Sequence, residues 1–262
     1  MRRLARELYR YVGTFQGWLW FGAITLFFGL VPIPLVLLAS PIWDGAGDWF
    51  ADFTHAALAL YAKTCLYMRI GVEGPERRRS GTRILVANHQ SWLDPLVLMG
   101  IEPRLAGPVR RYMLQVPIFG TVTRLAGFFQ SDVGDLPSLD ETARCVGDAR
   151  ARGGSLLFFP EGTRSKDGVL GPFHRGAFRA AFDHGLVIQP VVIEGLDRVL
   201  PRSGPVVQTF GRALVRVRYL APIAPPFEIP GVSRRDVVRG LAERARAAIA
   251  EELEAMRKSP ER

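Results

Sequence analysis

The stretch Ile84-Leu85-Val86-Ala87-Asn88-His89-Gln90-Ser91-Trp92-Leu93-Asp94-Pro95 decides the fold. Its four consecutive apolar residues, closed by polar ones, read as a buried strand. The polar run after them reads as a turn, and Trp92 to Gly100 as a helix. The strand thus delivers Asn88 and His89 to its C-terminal end, where ligands bind in open α/β sheets. Asp94 stands five positions after His89, in the first helical turn. A strand-end histidine and a first-turn aspartate can face each other across such a turn. The aspartate then accepts one ring N–H, which fixes the tautomer and leaves the other nitrogen to take a proton. A hydroxyl nucleophile needs such a base, because its own pKa lies far above neutrality.

A second strand candidate, Ser155 to Phe159, ends in Pro160-Glu161-Gly162-Thr163-Arg164-Ser165. Gly162 allows close backbone approach to a ligand. Arg164 can hold a phosphate with a charge-assisted fork, and Glu161 can accept from a substrate hydroxyl or position that arginine. Further strands are expected at Ile70 to Glu73, Arg83 to Ala87, Val187 to Ile193, Val206 to Phe210 and Ala213 to Tyr219. Helices are expected at 48 to 68, Ile118 to Ala126, Ser138 to Ala151, Gly176 to His184 and Ser233 to Arg257. Ser138 with Glu141, and Ser233 with Asp236, read as capping boxes. This alternation predicts an α/β domain over 69–262, with a central mixed sheet flanked by helices.

Residues 1–68 read differently. No Asp, Glu, Lys or Arg occurs between residues 11 and 43. That length suffices for a spanning helix, but Pro32 and Pro34 interrupt it. A membrane-associated hairpin of two helices in one leaflet and a single span both fit; a cleaved leader and a buried core helix are the bland alternatives. Arg2, Arg3, Arg6 and Arg10 precede the run and favour a cytoplasmic N-terminus, hence the cytoplasmic face of the inner membrane.

The net charge is +9, and only three of the 34 basic residues are lysines. Arginine suits phosphate. Nucleic acid is not expected as a partner, since no nucleic-acid-binding signature occurs. Cys65 and Cys145 lack metal spacing and read as free thiols of a reducing compartment. His174 and His184 lack compact ligand spacing, so no metal is expected. Ser91 lies near His89, but the Gly-x-Ser-x-Gly elbow of a serine hydrolase is absent.

The two motifs together resemble the glycerolipid acyltransferases, most closely the bacterial 1-acyl-glycerol-3-phosphate acyltransferases. Val116-Pro117-Ile118-Phe119-Gly120 and Ile188-Gln189-Pro190-Val191-Val192-Ile193 are similar to further blocks of that family. The resemblance implies transfer of a fatty acyl group from a thioester of coenzyme A or acyl carrier protein to a lipid hydroxyl, without a cofactor. It implies His89 as general base, Asp94 as its orienting partner, and Glu161, Gly162, Thr163 and Arg164 as acceptor-binding residues. The backbone near His89 is the expected source of oxyanion donors. One departure stands out: Gly127-Phe128-Phe129-Gln130-Ser131-Asp132 lacks the arginine the family carries there. Arg124 is the first candidate to replace it in phosphate binding, with Arg110 and Arg111 as others. Without such a replacement, another lyso-lipid or an amino-lipid becomes the acceptor. A non-catalytic lipid-binding protein is the alternative of a different class.

Overall fold

A computed structural model describes residues 2–131, 139–166, 168–226 and 231–259. Three helices come first: α1 (Arg2–Leu30), α2 (Pro32–Ala39) and α3 (Ala46–Thr64). The body continues with β1 (Met68–Glu73), β2 (Ile84–Ala87), α4 (Leu93–Ile101), β3 (Leu105–Ala106), β4 (Pro108–Val109), α5 (Arg111–Leu114), α6 (Phe119–Leu125) and β5 (Phe129–Gln130). It closes with α7 (Leu139–Ala151), β6 (Ser155–Phe158), α8 (Gly176–His184), β7 (Ile188–Glu194), α9 (Leu196–Val199), β8 (Ala213–Tyr219) and α10 (Arg234–Lys258).

Six strands form one sheet in the order β1-β8-β7-β2-β6-β3. All neighbours are parallel except β7 and β8, so the sheet is mixed, as expected. β2 is buried on both faces, which explains its unbroken apolar run. Ile84 and Val86 face a core shared with α7, α8 and α10. Leu85 and Ala87 face the core under α3, α4 and α9.

β7 carries a proline inside the sheet, a position that ordinarily loses a ladder bond. Here the antiparallel ladder to β8 begins one residue later, at Val191 opposite Tyr219. The Pro190 carbonyl accepts from Leu220 N–H at 3.0 Å. Its missing N–H would point to the same side, where the Leu220 carbonyl accepts from the Gln189 side chain instead. Gln189 is buried and serves this join: its amide accepts from Arg79 N–H at 3.0 Å and donates to the Leu220 carbonyl at 2.7 Å.

The prolines of the N-terminal run do not make the hairpin. Both stand in the first turn of α2, where N–H groups need no intrahelical partner. Leu35 N–H still reaches the Val31 carbonyl at 3.1 Å, so the helix resumes at once. Reversal comes at residues 40–45 instead, and α3 runs back along α1. Phe28 packs edge-on against Phe50, with ring centroids 5.6 Å apart, and Tyr9 Oη donates to the Leu66 carbonyl at 2.5 Å. The stretch Arg3–Ala39 is long and apolar enough to cross a membrane by length and composition. Much of its apolar side is bare: Leu38 is 76% and Phe15 69% exposed.

Residues 206–210 are not a strand. The backbone of Val207 is taken by α1: its N–H donates to Thr14 Oγ1 at 3.0 Å, and Arg10 Nε donates to its carbonyl at 3.3 Å. Trp18 Nε1 donates to the Pro205 carbonyl at 3.1 Å. β3, β4 and β5 span two residues each, too short to carry a period. Ser233 caps α10, accepting from Asp236 N–H at 3.2 Å. Ser138 lies outside the described residues.

A buried ion cluster closes the sheet end opposite His89. Glu102 accepts from Arg83 Nη2 at 2.8 Å, from Arg78 Nη2 at 2.7 Å and from Tyr219 Oη at 2.7 Å. Removing one partner of a buried pair strands the other charge, at about 3–5 kcal/mol. Glu102→Gln is therefore expected to lower the thermal midpoint in detergent by roughly 5 °C or more. An unchanged midpoint would show that the cluster contributes nothing.

Candidate active site

The loop after β2 has backbone donors that no strand accepts. Asn88 takes over the ladder: its side chain accepts from Ile193 N–H and donates to the Ile193 carbonyl, both at 2.8 Å. Asp94, fully buried in the first turn of α4, turns one carboxylate oxygen back into the loop. Oδ2 accepts from Gln90 N–H at 2.5 Å, Ser91 N–H at 2.7 Å and His89 Nδ1 at 2.7 Å. A carboxylate beside Nδ1 assigns the proton to that nitrogen, so Nε2 is the free base. The His89 ring stacks on Phe159 at 4.2 Å between centroids and lines a cavity of about 1200 Å³.

The second motif reaches the same loop from β6. Glu161 Oε1 accepts from His89 N–H, and Oε2 accepts from Gly171 N–H, both at 2.9 Å. Ser165 N–H donates to the His89 carbonyl at 2.8 Å. Burial pushes the Glu161 carboxyl above its usual range, and the two backbone donors pull it back. Glu161 is 93% shielded, by its 7% exposure, and is not part of the cavity wall. It braces the histidine loop and does not face the cavity where an acceptor hydroxyl would sit. The same bonds narrow the oxyanion expectation, because the N–H groups of His89, Gln90 and Ser91 are all spent on carboxylates.

Gly162, Thr163 and Arg164 do line the cavity. Gly162 has φ +64°, the left-handed region a glycine enters freely. The Arg164 guanidinium lies 4.4 Å over the Trp92 ring. Its Nη1 is buried without a partner. Burial, then the charge of Arg202, lower the Arg164 pKa. Arg202 Nη1 donates to the Arg164 carbonyl at 2.6 Å, and Arg110 Nη2 donates to the Gly162 carbonyl at 2.7 Å. Arg110 and Arg202 both line the cavity. Arg124 is exposed on α6 and contributes nothing to that wall, and Arg111 is likewise outside it. Of Arg110, Arg111 and Arg124, Arg110 is therefore the one that the structure brings to the turn.

Away from the arginines the wall is apolar, with Phe21 of α1, Leu93 and Leu96 of α4, Met113 of α5, and Val116 and Phe119. Gly17 of α1 closes on Tyr67; a Cβ there would meet the phenol oxygen at 3.0 Å. Burial raises the Tyr61 and Tyr67 pKa values, so this end of the cavity stays uncharged. Ser91 Oγ donates to the Leu200 carbonyl at 2.7 Å and is buried off the cavity, which leaves it no role as nucleophile. His174 lines the cavity and His184 ends α8. Among the described residues no group of His, Cys, Asp and Glu could hold a metal ion. Burial pushes the Cys65 thiol up, away from reactivity. Asn88, Phe159 and Arg202 are site residues the sequence did not assign. Asn88 stood inside the first motif, but Arg202 carried no pattern at all.

Known proteins resemble this chain on both sequence and fold. The family model for Acyltransferase matches residues 69–194. A chloroplastic 1-acyl-sn-glycerol-3-phosphate acyltransferase of Arabidopsis thaliana is 31% identical over 226 residues, 84% of this chain and 58% of that protein. The 1-acyl-sn-glycerol-3-phosphate acyltransferase alpha of Mus musculus is 31% identical, over 78% of this chain and 70% of that protein. The Salmonella typhimurium enzyme of the same name is 30% identical over 66% of this chain and 67% of its own. The chain spans about half the length of the plastid relatives it matches. The crystal structure of the 1-acyl-sn-glycerophosphate acyltransferase PlsC from Thermotoga maritima shares the fold, with a TM-score of 0.78 over 98% of this chain and all of that one, at 21% identity.

The tautomer assignment is open to measurement. Nitrogen-15 spectra of the His89 ring are expected to show Nδ1 protonated and Nε2 bare. Asp94→Asn is expected to lose that preference. Nε2 protonation in the parent protein would contradict the assignment.

Proposed function

The chain belongs to the acyltransferase family, and from that membership we propose that it transfers a fatty acyl group from an acyl thioester to the free hydroxyl of 1-acyl-glycerol-3-phosphate, giving phosphatidic acid. The observation that carries this reading is a free His89 Nε2 in the same cavity as guanidiniums that meet no carboxylate among the described residues.

On this reading the acceptor's phosphate lies against Arg164 and Arg110, and its hydroxyl approaches His89 Nε2. His89 takes the hydroxyl proton as the oxygen attacks the thioester carbon. The buried Asp94 carboxylate stabilises the imidazolium that forms. Collapse of the tetrahedral intermediate expels the thiolate, and the imidazolium can return the proton to it. No acyl-enzyme, cofactor or metal takes part. The donor is a thioester of coenzyme A or acyl carrier protein, with its chain and that of the acceptor in the apolar part of the cavity. The bare apolar side of α1 and α2 seats the protein on the cytoplasmic face of the membrane, where the cavity between α1 and the body opens to lipid. Residues 1–68 then act as anchor and cavity wall, and 69–262 as the catalytic body.

Thiol release from an acyl thioester tests this directly. Release is expected only when 1-acyl-glycerol-3-phosphate is present. His89→Ala and Asp94→Ala are each expected to lower it by about 10²–10⁴-fold, the usual worth of a positioned base. Ser91→Ala is expected to retain it. Lipid binding without acyl transfer to any acceptor would sink the proposal.

A further inference from the structure

Four arginines line the cavity: Arg110, Arg164, Arg175 and Arg202. Three of them converge on one turn. Arg164 belongs to it, Arg110 holds the Gly162 carbonyl, and Arg202 holds the Arg164 carbonyl. Arg202 comes from outside every sequence motif, on the loop that follows α9. That loop is fixed from both sides. Its Leu200 carbonyl takes the Ser91 hydroxyl, two residues from His89, and its Pro205 and Val207 are held by α1. Arg202 is therefore held on the Arg164 carbonyl by a loop that is itself anchored.

Its single bond to a carbonyl uses one of five N–H donors and none of its charge. Among the described residues no carboxylate ion-pairs with Arg110, Arg164 or Arg202. Two guanidiniums on adjoining sites, one partly buried over Trp92, repel each other until an anion enters. With Arg110 beside them, three positive charges face the headgroup, so a singly charged diester offsets one of them and a dianionic monoester offsets two. We propose that Arg202 binds the acceptor headgroup together with Arg164, and that the pair selects a dianionic phosphate monoester over a phosphodiester or an amino-lipid. This rests on the acyl-transfer reading above and names the feature of the site that chooses among acceptors.

The test compares the full-length protein with Arg202→Met and Arg202→Lys in detergent. Calorimetry without any thioester donor measures binding of 1-acyl-glycerol-3-phosphate and of 1-acyl-glycerophosphocholine. Arg202→Met is expected to weaken the monoester by about 10–100-fold, the range for hydrogen bonds to a charged group. It is expected to leave the diester within about threefold, and Arg202→Lys to recover part of the monoester affinity. In transfer assays the same loss should fall on KM, with kcat little changed. Equal loss for both headgroups, or loss in kcat alone, would overturn the proposal, since both mark a merely structural loop. So would undiminished monoester binding in Arg202→Met. Because binding is read without donor, an enzyme that transfers nothing would count against the acyl-transfer reading and still report on Arg202.

Discussion

Two buried carboxylates hold the loop after β2, and the rest of the site is arranged around them. Three consecutive backbone donors, from His89, Gln90 and Ser91, leave the sheet with no strand to accept them. Buried donors without acceptors are costly. Glu161 takes the first and Asp94 the other two, and Asp94 also accepts a hydrogen bond from the imidazole Nδ1–H. One carboxylate thus sets the ring tautomer and the backbone path that carries the ring. The spacing of the first motif follows, because a residue in the first turn of α4 is the one able to reach back to that loop. Glu161 joins the two motifs through the His89 main chain, so a displaced second turn would displace the base.

The N-terminal helices enter the same network. α1 supplies cavity wall through Trp18 and Phe21, and its polar groups at 10, 14 and 18 occupy the backbone of residues 205–207. The same loop carries Leu200, whose carbonyl fixes Ser91, and Arg202, whose guanidinium fixes Arg164. A helix with a bare apolar side is therefore two hydrogen bonds removed from both motifs. The segment Val116-Pro117-Ile118 makes a second link. Ile118 has φ +62°, unusual for a β-branched residue. Phe119 N–H closes on the Pro117 carbonyl at 2.6 Å. Glycine is required at 120, where the clash is with backbone, and Gly29 lets α1 come close on the other side. A Cβ on Gly120 would sit 2.1 Å from the Leu114 carbonyl, and one on Gly29 of α1 would sit 2.8 Å from the Ile118 side chain. The strained turn is held where α1 presses on the cavity wall.

Much of this was legible because its cause is local. An unbroken apolar run marked β2, and apolar-rich runs marked β6 and β7, because these strands are largely buried; the acid five residues after His89 marked the reaching side chain. What escaped depends on partners distant in sequence. Residues 206–210 have a strand's composition, yet both backbone groups of Val207 are taken by side chains of α1, about two hundred residues away, and Gln208 N–H goes to the Val199 carbonyl. Pro32 and Pro34 read as a break, because the sequence does not say that both fall in a first turn where a missing N–H is harmless. Glu161 read as a ligand for substrate, because nothing local shows that two backbone donors would claim it. Arg202 has no motif around it; its role comes from a loop held at both ends.

The charge of the site follows from the same division between carboxylates and carbonyls. Among the described residues, Glu161 and Asp94 Oδ2 are committed to backbone N–H groups of the site, and the guanidiniums of Arg110 and Arg202 are anchored on backbone carbonyls. A guanidinium paired with a carboxylate would have to break that pair before it could hold an anion, and the carboxylate left behind would repel the newcomer. Anchoring on a carbonyl fixes the side chain and keeps its full positive charge available. Arginine serves this better than lysine, since the planar fork can spend one N–H on the carbonyl and still present others toward the cavity. On the proposed reading, Arg110 and Arg202 supply at the turn the positive charge that the second block lacks.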